Sequence, residues 1–364
     1  MDIVSEFVAL HQRGLVEWEE VEMAYEAYFV ALGGRRSPIF RSVRYGKFDL
    51  RGLTDDQIFQ NMRFQRADLA LLKECFQIPD EVTIPQRGYR VPGMTALCIL
   101  LKRLSYPNRL CDLEAFFGMS SAAISSVAKE MTNHVISRKG YLLATLESHT
   151  WLNAEKLEYY AEAVARKGAP LNNCWAFIDG TARHICRPSV NQEMFYSGHK
   201  RYHCLKFQST VTPDGLIISL LGPFDGRRHD AGIFRETGFI NQLQRLCENA
   251  ANQYVLYGDA AYPISDLLLK PFPQTSTEDH AIYFNRAMSA VRQAVEWGFG
   301  KVVRDWAFVD FHKNLKILKQ DVSSMYKVAC LLSNCHSCLY GSQVSDFFSI
   351  NPPTLEQYLQ HERR

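Results

Sequence analysis

The chain lacks any large excess of one charge. Its 364 residues carry 41 Lys and Arg against 39 Asp and Glu, a formal net charge of +2. Any nucleic-acid binding would therefore have to come from local basic patches rather than bulk charge. No run of about 18 apolar residues is present, so no helical membrane span is expected. The first ten residues include Asp2 and Glu6 and have no basic n-region, which argues against a secretory signal. The ten cysteines are scattered, without the spacing of a small disulfide scaffold, so reduced thiols inside a cell are the expectation. Internal repeats, low-complexity tracts and a strong nuclear-localisation cluster are also missing. What remains is ordinary for a globular protein, 47% hydrophobic and 22% charged. The length exceeds one usual core and predicts two or three domains.

The N-terminal part reads as helical. Residues 1–40 carry Glu17, Glu19, Glu20 and Glu22 before the Gly33-Gly34 break, and a second helix is expected from Thr54 to Phe76. Three short helices follow: Met94–Leu104, Arg109–Phe117 ended by Gly118, and one capped by Ser120 and running through Val135. Helix, Gly turn, helix is the outline of a helix-turn-helix, whose exposed face would offer Ser121, Ser125, Ser126 and Lys129. A plain three-helix packing unit reads equally well. The texture changes after Pro170. Cys174–Ile178 and Tyr254–Tyr257 are short apolar runs suited to buried strands, and Lys206–Thr212 and Gly215–Leu221 form a hairpin around Pro213-Asp214. Helices are expected over Asp230–Asn249 and Thr277–Arg304. The expected division is an N-terminal helical region over 1–90, a helix-turn-helix-like unit over 91–140, a helical linker over 141–172, an α/β catalytic domain over 173–345 and a C-terminal tail over 346–364.

Three acids stand out by position. Asp179 and Asp259 each close an apolar strand, and Glu296 lies in the last long helix. Strand ends at a sheet rim are where open α/β folds place ligands. Two such strands side by side, with a helix across the edge, would gather three carboxylates that need a cation to stay ionised together. Oxygen-only ligands favour Mg²⁺ or Mn²⁺, and two such ions can hold the attacking and leaving oxygens of a phosphodiester. Taken singly, each Asp also reads as a turn residue and Glu296 as a solvated helix position.

Several motifs resemble the DDE-type endonuclease domain of PIF/Harbinger transposases. They are Ile178-Asp179-Gly180-Thr181, Tyr196–His203, Gly226-Arg227-Arg228-His229-Asp230, Gly258-Asp259-Ala260-Ala261-Tyr262-Pro263 and Val295-Glu296-Trp297-Gly298-Phe299-Gly300. Glu296 follows Asp259 by 37 positions, near the family's usual interval. The resemblance spans about Cys174 to Leu332. It implies an RNase H-like fold, a mixed sheet with helices on both faces. It implies Asp179, Asp259 and Glu296 as catalytic metal-binding acids holding Mg²⁺ or Mn²⁺, and Asp230 as a fourth metal-site acid, although Asp230 also reads as a helix cap. An activated water or a freed 3′-OH would then attack a DNA phosphodiester. Trp297-Gly298 departs from the family's more frequent pairing, and Gly298 costs about 1 kcal/mol of helix propensity against Ala.

A basic segment interleaved with aromatics adjoins Asp179. Arg183, His199, Lys200, Arg201 and His203, with Arg228 further on, are its candidate DNA contacts. Cys335-x-x-Cys338 has a zinc-like spacing without a second pair, so a buried helix with core cysteines is expected there. The resemblance further implies at least a homodimer, a separate Myb-like DNA-binding protein for end recognition, and entry into the nucleus that depends on it. Two other readings stay open: a host-adopted nuclease or DNA-binding adaptor derived from a transposase, and a catalytically inert helical interaction protein.

Overall fold

The computed structural model describes residues 45–360 except 86–87, 249 and 251, together with 6, 9–11, 13–16, 20–21 and 24. The helix expected over residues 1–40 lies largely outside these. By contacts the chain forms two compact units. One comprises residues 1–53 and 108–128, and the other residues 54–107 and 129–364.

In the first unit, helix α4 (Leu110–Phe117) ends at Gly118, whose φ of +61° allows a left-handed cap, and Ser121 starts the next helix. Phe48 packs on Phe116 and Phe117 with ring centroids 5.6 and 5.0 Å away. The Ser121 amide and hydroxyl both donate to Glu114 at 2.7 Å, and the Ser126 hydroxyl donates to the Ala122 carbonyl. Two serines of the expected recognition face are therefore engaged by their own chain.

The second unit opens with helices α1 (Asp55–Met62) and α2 (Arg66–Cys75), where one helix is expected from the apolar spacing. The break is at Arg63, whose φ is +64°. Its guanidinium donates to the Asp305 carbonyl, and the next residue, Phe64, is buried against Trp306, His336 and Tyr340. A short hairpin, β1 (Glu81–Ile84) and β2 (Tyr89–Pro92), leads into α3 (Gly93–Ser105). Helix α5 (Ser121–Lys139) passes from the first unit into this one, and α6 (Ala154–Arg166) packs on the main sheet.

That sheet is mixed. Strand β3 (Cys174–His184) is its spine. Helix α7 (Gln192–Phe195) and the two-residue β4 (Tyr196–Ser197) precede β5 (Tyr202–Val211) and β6 (Ile217–Asp225). Strand β5 lies antiparallel between β3 and β6. After α8 (Asp230–Glu236) and α9 (Phe239–Cys247), β7 (Val255–Tyr257) and β8 (Leu268–Leu269) continue the sheet parallel to β3. The expected single helix over 230–249 is thus two, separated at Gly238 with φ +60°. Helix α10 (Asp279–Asp305) runs 27 residues without interruption at Gly298. Opposed residues of β3 and β5 share a face, which fixes the layers. Gly298 of α10 approaches Val211, opposite Phe177, on one face, while Asp230 of α8 approaches Gly180 on the other.

Helix α11 (Val322–Tyr340) buries Cys330 and Cys335, in keeping with the expected core helix. The segment expected as a tail is packed instead. Helix α12 (Gln343–Phe348) sets Phe348 on Phe177, and α13 (Leu355–Leu359) buries Leu355, Tyr358 and Leu359, with the Tyr358 hydroxyl accepting from Asn334 at 2.7 Å. The stretch expected as a linker likewise belongs to the α/β core: Tyr160 of α6 is fully buried and donates to Asp214. Burial of apolar side chains, rather than any linker-like composition, places both segments.

Candidate active site

Strand β3 does not end at Asp179, as its apolar run suggests. Its parallel partner does: β7 stops at Tyr257, opposite Phe177, while pairing with β5 continues to His184. Residues past Ile178 are polar or small because that side of the strand has lost its neighbour. Asp179 sits just beyond this point. Its Oδ1 accepts the Gly180 amide at 2.8 Å, and its Oδ2 accepts from Arg292 Nη1 at 2.8 Å. The Asp-Gly pair is therefore strand, not turn. Burial pushes the Asp179 carboxyl above its ordinary range; Arg292 opposes the shift and the nearby Asp259 carboxylate adds to it.

Asp259 follows β7 directly and its carboxylate accepts the Ala261 amide at 2.9 Å. The turn so closed returns Tyr262 beneath the site, where its ring abuts Gly258: a Cβ there would stand 2.8 Å from the ring. The Tyr262 hydroxyl is buried and finds no hydrogen-bond partner among the described residues. Burial raises its pKa well above the ordinary phenol value, and Asp230, Asp179 and Asp259 all act in the same direction. One hydroxyl thus lies in the field of three carboxylates from β3, α8 and the β7 end. Asp230 is the first residue of α8, with His229 in the cap position. Its carboxylate lies 3.7 Å from Lys206 Nζ and presses on the bare backbone of Gly180.

Glu296 stands four residues after Arg292, so the two share one face of α10. Asn285, Ser289 and Arg292 of that face line a cleft of about 980 Å³ with Asp259, Lys270 and Phe272. Asn285 clamps the cleft's far wall, exchanging hydrogen bonds with the Phe272 backbone at 2.8 and 3.0 Å. Glu296 itself is exposed. Among the described residues, no group of three or more His, Cys, Asp or Glu is drawn close enough to hold an ion. The donor set nevertheless fits a hard divalent cation in kind: it is all oxygen, and Asp179 and Asp259 repel each other with Arg292 as the counter-charge on Asp179.

The basic candidates divide into inward and outward groups. Arg183 is turned inward, with its guanidinium 5.2 Å over the Tyr326 ring, donating to Thr181, and 3.9 Å from Asp310. Arg228 is ion-paired with Glu236. His199, Lys200 and Arg201 are exposed on the β4–β5 connection, and His203 is half-buried beside Tyr196. Sequence reasoning assigned no role to Arg292 or Tyr262, and placed Lys206 only in the basic segment. Only Arg292 left a usable signal, the four-residue spacing to Glu296.

Residues 178–334 match the DDE superfamily endonuclease family. No curated protein and no solved structure matches the chain. The match covers β3 from Ile178 through most of α11, and so includes every acid of the site. The match supports an RNase H-like fold and a DDE transposase-like nuclease domain, in agreement with the mixed sheet flanked by helices. Nucleases of that superfamily normally use divalent metals.

Proposed function

We propose that this protein is a divalent-metal-dependent DNA endonuclease and strand-transfer enzyme, a transposase of the PIF/Harbinger type. The observation that carries the reading is the meeting of Asp179 and Asp259 where β3 outruns β7, opposite the α10 face that holds Arg292 and Glu296. Asp179, Asp259 and Glu296 would hold Mg²⁺ or Mn²⁺, with Asp230 as a fourth acid. When bound, a divalent ion activates the attacking oxygen and stabilises charge developing on the phosphodiester. Strand β3 fixes the Asp179 backbone. Arg292 pairs with Asp179 at 2.8 Å, and Glu296, one turn along the same helix face, would join the acids around the ion. Lys206 holds Asp230 against Gly180. Tyr262 fills the space below the carboxylates and excludes water from it.

DNA would be held by His199, Lys200, Arg201 and His203 on the outer surface, with Arg183 and Arg228 supporting the strands behind them. The weakly basic surface supports a separate Myb-like partner for end recognition and nuclear entry, and pairing of two element ends supports at least a homodimer. The deciding experiment is nicking of a labelled duplex carrying the element's ends, with Mg²⁺ or Mn²⁺ and the partner present. Asp179→Asn, Asp259→Asn and Glu296→Gln should each abolish cleavage while the fold stays intact. If Asp179→Asn and Glu296→Gln both cut at the wild-type rate, the nuclease reading is wrong.

A further inference from the structure

We infer that a second pocket, beyond the carboxylates, binds an unpaired nucleotide of the DNA strand. It lies at the far end of β3 and has a volume of about 630 Å³, within the range of small-ligand sites. Two independent features define it.

The first is a column of three rings. His184, the last residue of β3, lies between Tyr202 and His312, with centroids 4.4 and 4.1 Å away and interplanar angles of 24° and 4°. The segment bearing His312 is held there by the Cys186 amide, which donates to the Leu315 carbonyl at 3.0 Å. Burial lowers the His184 pKa, and His312 and His203 lower it further against the opposing effect of Asp310. Both faces of His184 are taken by its neighbours, so a base would stack on an outer ring of the column, Tyr202 or His312, both of which line the pocket.

The second feature is the lining charge. Arg187, Arg201, Lys313 and Lys316 surround the column, and among the described residues no Asp or Glu lines the pocket. Four cations around stacked rings fit a phosphate joined to a base. A duplex keeps its bases inside the stack, so only an unpaired or everted nucleotide presents both groups at once. His312, Lys313 and Lys316 lie more than a hundred positions after His184, and nothing in the motifs points to them. The five steps along the strand from Asp179 to His184 span about 16 Å. That is roughly five base steps from the carboxylates, so the pocket would take a nucleotide of a frayed end or overhang near the cut.

The inference rests on the DNA reading above, and binding without divalent metal tests it separately from cleavage. The full chain would be titrated with a blunt duplex and with the same duplex carrying a five-nucleotide 3′ overhang that contains 2-aminopurine. The expected result is at least tenfold preference for the overhang and quenching of 2-aminopurine. His312→Ala should remove most of the preference, and His312→Phe, which keeps a ring in the column, should retain it. If overhang and blunt duplex bind alike, or if His312→Ala keeps both preference and quenching, the pocket assignment falls while the nuclease reading stands. Preference and quenching would uphold the pocket even if a duplex carrying the element's ends stays uncut with Mg²⁺ and the partner present, the result that overturns the nuclease reading. No binding of either DNA would likewise overturn the pocket assignment.

Discussion

A Cβ on Gly180 would stand 2.9 Å from the Asp230 carboxyl carbon and 2.9 and 3.0 Å from its oxygens. Side-chain methyls do not fit there unless Asp230 moves. Gly180→Ala should therefore displace Asp230 and lower cleavage at least tenfold with little change in melting temperature, which nicking and thermal unfolding would show together. A full wild-type rate would make the position of Asp230 irrelevant to the chemistry. Arg292 offers a second test at this scale. It is the cation that Asp179 now holds, so a divalent ion must compete with it. Arg292→Gln should lower the Mn²⁺ concentration needed for half-maximal thermal stabilisation, read by melting across a titration. A higher requirement would show that Arg292 positions Asp179 rather than competing. The positions of Asp179 and Asp259 beside two buried strands were legible from the apolar runs before them. What the run could not show is that β3 continues. The stretch after Asp179 pairs on one side only, so its Gly180, Thr181 and Arg183 follow no simple apolar pattern.

At the level of elements, α10 shows the same limit from the other side. Its pattern was readable as helix, but Gly298 cast doubt on it. The helix is unbroken because Gly298 packs on β5, where a Cβ would meet Val211 at 3.4 and 3.7 Å, close to ordinary contact. Gly298→Ala should therefore be accommodated and stabilise by about 0.5–1 kcal/mol, visible as a higher denaturant midpoint at unchanged slope. A loss of stability would mean that Val211 cannot yield. The β4–β5 connection carries the outward charge. Replacing Lys200 and Arg201 with Ala should weaken binding to all duplexes alike and reduce the salt slope by about 2. An unchanged slope would remove them from the DNA path. The breaks inside the expected helices 54–76 and 230–249 were illegible because Arg63 and Gly238 act through left-handed backbone, which periodicity does not register.

Across the whole second unit, the α1–α2 turn and α2 are bolted to the ends of α10 and α11. Arg63 bonds the Asp305 backbone, Tyr340 donates to Asp68, and Lys301 bridges Asp305 at 2.7 Å and His336 Nδ1 at 2.8 Å. This closure was not readable from sequence, since it joins residues more than two hundred positions apart. Burial lowers the His336 pKa to about 4, with Lys301 next in effect; Asp305 opposes, and Arg304 and Arg63 add to the lowering. The unfolded chain takes up this proton near pH 6.5, whereas the folded chain resists it to about 4. The stability that neutral His336 contributes is therefore complete above about 6.5 and is lost as pH falls toward 4. His336→Gln, whose amide oxygen can still accept from Lys301, should flatten that slope in melts taken across the interval. An unchanged slope would assign it to other groups.

The unequal length of β3 and β7 also has a mechanical consequence. Cys174 to Ile178 is wholly buried and joined to both neighbours at Phe177, whereas from Asp179 to His184 the strand is held by β5 alone, like a cantilever. Amides of the clamped root should exchange with solvent only when the whole unit opens, and those of the free span should exchange through smaller local openings. Asp179 stands at the last rigid point and His184 at the tip. The same beam would thus keep the acid still while its outer end yields to an incoming strand, and hydrogen exchange should fall into two rates divided near Gly180.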